Sequence, residues 1–246
     1  MASKPQLLEN VGNLTKLIEA SDYEILADTG PLYQLKSTLE RSDFPSGLKY
    51  SLIDLKFDNV SEGQFISGNW DADSLEVKLH LDIQMDANQP FKYGNVKEAL
   101  VEIDYEALTE DGEIARGAWH LDFHHHTTGQ PNFIHPRYHI HHGGRRIKEN
   151  TENYGELVLL DAPRLQHPPL DLFLAFDMVL TNFFERRIWQ NFREDTTYQA
   201  IIKSSHEHWW KDYYGQIADY WKFQTNGVSD VQKRKDAQQE NPYLIV

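Results

Sequence analysis

The sequence predicts an α+β fold: an antiparallel sheet of about six strands, with N-terminal helices and long C-terminal helices packed on one face. Three observations predict it. Apolar residues recur at helical spacing near both ends of the chain, they alternate with polar residues through the middle, and one short turn fixes the pairing of two central strands.

The first helix is expected over 6–20, where Leu7, Leu8, Val11, Leu14, Leu17 and Ile18 share one side, and a second, shorter one over 31–39. The period then changes to two. Segments 48–60, 64–70, 75–85, 98–108, 113–126 and 137–142 read as strands bounded by Gly, Asn, Asp and Pro, with a further strand over 156–160. Ala99, Val101, Ile103, Tyr105 and Ala107 alternate with Glu98, Leu100, Glu102, Asp104 and Glu106 ahead of Glu110, Asp111 and Gly112. Three loop residues ending in glycine match a type I turn closed by a left-handed residue. That register sets Ile103 opposite Trp119 and Val101 opposite Leu121 on the apolar face. On the other face it sets Glu106 opposite Arg116, Glu102 opposite His120 and Glu98 opposite His124.

Helix returns after the start signal Pro168-Pro169, with 170–192 apolar nearly all round and 196–223 carrying a stripe of Ile202, Trp209, Tyr213, Ile217 and Tyr220. Residues 1–231 are expected to form a single domain, with helices over 5–42, the sheet over 48–161 and helices over 168–224. Residues 232–246 read as a polar linker and an apolar tail that docks on this chain or on a partner.

With 246 residues, of which 40% are hydrophobic, the chain can bury a substantial core. The polar opening residues lack the apolar stretch of a signal peptide, and 170–184 is too short to span a bilayer and carries Asp171 and Asp177, so a cytoplasmic protein is expected. Cysteine is absent, which leaves His, Asp and Glu as the metal ligands to consider. The net charge of -14 disfavours non-specific nucleic-acid binding, because phosphate attraction scales with the cations a protein offers. Asp177, set among Phe173, Leu174, Met178 and Leu180, needs a partner if it is buried.

The densest chemistry lies between His120 and His142, which hold eight of the twelve histidines. In extended chain His120, Asp122, His124 and His126 share one side, opposite Trp119, Leu121 and Phe123. His139 and His141 repeat that pattern against Tyr138 and Ile140. Pairing these runs sets two histidine rows on one polar, solvent-facing side of adjacent strands. The candidate metal ligands are therefore His120, Asp122, His124, His139 and His141, a set suited to Zn²⁺, Mn²⁺ or Fe²⁺. Glu102, Asp122 and His124 are the candidate catalytic groups, with Glu102 as proton acceptor. Arg137, Arg145 and Arg146 are candidates for gripping an anion, the last two beside Gly143-Gly144. His80 repeats the His-x-Asp pattern with Asp82 but lies two strands away in a meander, and a facial triad of His120, Asp122 and His167 is a further option. The same residues also suit a plain polar face, whose cross-strand pairs contribute only a few tenths of a kcal/mol each.

His-Leu-Asp-Phe-His, His-Pro-Arg-Tyr-His-Ile-His-His-Gly-Gly and His-Pro-Pro-Leu-Asp-Leu-Phe-Leu-Ala-Phe-Asp together resemble uncharacterised bacterial proteins of unknown function over about residues 119–184. The resemblance implies a bacterial, cytoplasmic setting and no activity, cofactor or catalytic residue. The residues themselves suggest a metal-binding hydrolase with a phosphate ester as substrate class. The alternative is a non-enzymatic acidic interaction or immunity-type protein whose acidic first half meets a basic protein partner.

Overall fold

The computed structural model describes residues 4–41, 47–60, 75–86, 91–109, 112–123, 134–143, 164–222 and 229–245. Two helices, α1 (Lys4–Ala20) and α2 (Gly30–Arg41), precede a six-stranded antiparallel meander. Its strands are β1 (Leu48–Phe57), β2 (Glu76–Met85), β3 (Val96–Leu108), β4 (Ile114–Phe123), β5 (Tyr138–His142) and β6 (Leu165–Gln166), and they lie side by side in chain order. The C-terminal helices are α3 (Leu172–Phe183), α4 (Arg186–Glu194), α5 (Thr196–Ser205), α6 (Lys211–Lys222) and α7 (Ser229–Glu240). Among the described residues no helix is long and apolar enough to cross a membrane.

The β3–β4 register is the one the turn dictates: Glu102 faces His120, Ile103 faces Trp119, Val101 faces Leu121 and Glu106 faces Arg116. Gly112 adopts φ +79°, the left-handed position that closes a three-residue hairpin loop. Glu98 belongs to β3, but its expected partner His124 lies outside the described residues, as do segments 64–70 and 156–160. The sixth strand is instead the two-residue Leu165–Gln166 against His139 and Ile140.

Tyr105 lies across Gly117 on β4, and its ring packs against Trp119 and Phe183. A Cβ at position 117 would collide with that ring. Gly117→Ala is therefore expected to cost about 1–3 kcal/mol, read as a lower urea midpoint at unchanged slope.

The core is built on α3, where nine of twelve residues are buried, including Phe176, Val179 and Leu180 at 0% exposure. The single helix expected over 170–192 is broken after Phe183. Phe184 turns to extended backbone and buries its ring edge-on to Phe57, and Glu185 starts α4. That corner brings Arg193 of α4 and Tyr198 of α5 onto Asp177, whose carboxylate accepts from Arg193 Nε (3.1 Å), Arg193 Nη2 and Tyr198 Oη (3.0 Å). The expected long helix over 196–223 carries one π turn, His206–Trp210, between α5 and α6. The wider turn keeps Ile201, Ser205, Trp209 and Tyr213 on the buried side at spacings of four, while Ile202 and Ile217 are only partly buried.

Residues 232–241, expected as a polar linker, lie almost wholly in α7. Little apolar periodicity marks it, because its burial rests on Ala237 and Glu240, both at 0% exposure. Glu240 is met by Arg137 Nη1 at 2.6 Å, a partner 103 residues away. The tail folds back on this chain, with Tyr220 Oη donating to the Ile245 carbonyl.

Asp171 caps α3: its side chain accepts from Leu174 N–H (2.9 Å) and Ser205 Oγ (2.6 Å) while 6% exposed. Burial pushes its pKa up to about 6, against those hydrogen bonds. An acid whose folded pKa lies above its unfolded value of 3.8 favours the fold at low pH and disfavours it as pH rises through 6. Between pH 5 and 7 this group alone removes about 1 kcal/mol of stability. Asp171→Asn is expected to flatten that part of the stability–pH curve in denaturant titrations.

Candidate metal site on the outer sheet face

The sheet face turned away from α3 carries one row of His80, Glu102, His120 and His141 on β2 to β5. A second row holds Asp82, Leu100, Asp122 and His139. The sequence assigns this face to solvent, yet His80, Glu102 and His139 are 4%, 1% and 1% exposed. Their polar contacts thus form where water screens them little.

His139 is fixed by the backbone just before it. Its Nδ1 lies 3.1 Å from the Pro136 carbonyl, which only accepts, so Nδ1 donates there and Nε2 is the ring nitrogen turned toward Asp122. That Nε2 lies 2.7 Å from Asp122 Oδ1, both atoms are buried, and the oxygen sits off the line of a ring N–H. At that separation the two atoms form an ion pair when Nε2 carries a proton, and can share a cation when it does not. His135 completes the group: one ligand atom from each of Asp122, His135 and His139 falls within 4.8 Å of the others. Two imidazoles and a carboxylate are a donor set for Zn²⁺ or Fe²⁺, and the Nδ1–carbonyl contact is the usual outer support of a metal-binding histidine.

Asp122 divides its two oxygens. Oδ1 faces His139, and Oδ2 lies 3.3 Å from His120 Nε2. The other ring nitrogen of His120 lies 3.3 Å from Glu102 Oε1, so this imidazole bridges two carboxylates. Burial alone would lower its pKa, but Asp122 and Glu102 outweigh that and hold it up to about 9. Burial also opposes ionisation of Asp122, but His120 and His139 keep it well below the usual carboxylate range. His141, its ring 4.7 Å from that of His120, is pushed down to about 4 by burial and by the charge of His120.

Of the sequence-derived ligands, Asp122 and His139 come together, His120 and His141 flank them, and His124 lies outside the described residues, with Arg145 and Arg146. Glu102 touches His120 rather than the three-residue group. Arg137 is held by Glu240 and by Gln239 (3.1 Å), where it fastens α7. His167 lines a hollow of about 10 Å³ with Asp122 and His139, its Nδ1 donating to the Pro168 carbonyl. His135 is the residue that alternation misses. It precedes β5, where period two no longer applies, and the signal for it is the spacing His135-Pro136-Arg137-Tyr138-His139.

The fold and this group of side chains define an α+β protein with a candidate Asp/His/His metal site. No protein-family model, curated protein or solved structure matches the chain.

Proposed function

We propose that this protein is a metal-dependent hydrolase in which Asp122, His135 and His139 hold a divalent ion, with a phosphate ester as substrate class. The reading is carried by the convergence of Asp122, His135 and His139, whose ligand atoms lie within 4.8 Å of one another, with Asp122 Oδ1 2.7 Å from His139 Nε2 and both atoms buried. When bound, such an ion polarises a substrate oxygen and activates water at neutral pH. His120 is the group that holds or hands on a proton, and Glu102 orients it from β3. Arg164 lies near enough to His141 to disfavour its protonation and so adds positive charge beside that ring. The setting that goes with this reading is the bacterial cytoplasm, with a small phosphate-bearing molecule as ligand.

The test is elemental analysis of tag-free full chain, followed by chelation, reloading with Zn²⁺, Mn²⁺ or Fe²⁺, and assay on p-nitrophenyl phosphate and bis(p-nitrophenyl) phosphate. About one ion per chain, with hydrolysis restored on reloading, is the expected result. Metal-free protein that co-purifies with a basic partner overturns it in favour of the acidic interaction protein.

A further inference from the structure

Beside the metal group, the outer face carries a separate hollow of about 140 Å³, bounded by β1, β2 and β3. The outward side chains around it are Ser51, Ile53, His80, Asp82, Leu100 and Glu102. A β-bulge shapes its edge: the β1–β2 register slips between Leu52 and Leu55, and Asp54 sits there at φ +54°. Bulges re-aim side chains and gather at functional sites. Here the bulge points the Asp54 N–H at Nδ1 of buried His80, 3.2 Å away, and His80 Nε2 lies 2.6 Å from Asp104 Oδ1. The imidazole is thereby fixed as one wall.

The polar groups around the hollow already face partners. Glu102 faces His120 (3.3 Å), Asp82 faces Lys49 (3.4 Å) and accepts from Ser51 Oγ (3.2 Å), and His80 faces Asp104. An anion entering would meet two carboxylates. A cation would have to compete with partners already in place. A neutral group rich in hydroxyls faces neither obstacle: a carboxylate has about four lone-pair sites, so half-exposed Asp82 can accept from hydroxyls without giving up Lys49 or Ser51. The Ile53 and Leu100 side chains offer apolar contact to a carbon skeleton. At roughly 30 Å³ per water the volume corresponds to four or five waters, the scale of a small polyol or part of a sugar ring.

We propose that this hollow is a binding site for a neutral polyhydroxylated group, of the kind a sugar or polyol presents. The site stands apart from the metal reading, although Glu102 borders the hollow and His120 alike. The test uses the full chain labelled with ¹⁵N, in chelated and metal-loaded forms, titrated with D-glucose and glycerol and, separately, with ethanolamine and inorganic phosphate. Saturable shifts of the Ser51, Asp82 and Leu100 amides with a polyol are expected in both forms. Ser51→Phe, an exposed position whose larger side chain fills the hollow, should weaken them at least about tenfold, and Ser51→Ala should not. Leu100→Phe gives a second filled variant should Ser51→Phe lose the native spectrum. Polyols that leave these amides unmoved, that act equally on the filled variant, or that bind more weakly than ethanolamine or phosphate overturn the proposal. Metal content, measured on the same samples, decides the metal reading independently.

Discussion

His139→Ala is expected to lower affinity for Zn²⁺, Mn²⁺ or Fe²⁺ by more than about 100-fold, because loss of an outer-shell partner alone costs up to about 100-fold and here the ligand itself is removed. His135→Ala should do the same, whereas His141→Ala should cost less than about tenfold. The contrast separates the group formed by Asp122, His135 and His139 from the set that alternation along the strands singles out. Competition titration with a chromophoric chelator measures it. His139 is 1% exposed, so each variant also needs a thermal melt to show that the fold survives the lost ring. Equal affinities for wild type and His139→Ala, both folded, would remove the site.

Phe176→Ala should have the largest effect on stability, about 3–5 kcal/mol. Phe176 is fully buried at the centre of α3, and its ring meets that of Phe57 on β1 at 5.3 Å. Little at that position can collapse into the space, since Val179 and Leu180 of the same helix are also at 0% exposure and already packed. Urea denaturation followed by far-UV circular dichroism should show the midpoint shift. A loss below about 1 kcal/mol would mean that α3 is not the keystone of the core.

Much of this architecture was legible in the residues because it is local. Alternation in 98–108 and one glycine-closed turn give the β3–β4 register, and with it the pairing of Glu102 with His120. What escaped depends on distant contacts. The break at Phe184 follows from a place for its ring beside Phe57, and α7 follows from Arg137, neither visible in a local pattern. The same holds at the site. His139 and Asp122 follow from strand geometry, but His135 joins them from outside the strand, and the burial of His80 and Glu102 contradicts the reading of a wet face. Asp177, set among apolar residues, needs a partner, and Arg193 with Tyr198 supplies it.

Because each strand of the meander pairs with its neighbour in the chain, the sheet can form one strand pair at a time as synthesis proceeds, closing connections of between 5 and 22 residues. The helix α2 packs on β1, but the apolar side of the ribbon lacks its central cover until α3 follows from residue 172 onward. Nascent chains stalled before that point would display Val101, Ile103 and Leu121 on an open surface, the state in which aggregation and chaperone capture compete with folding.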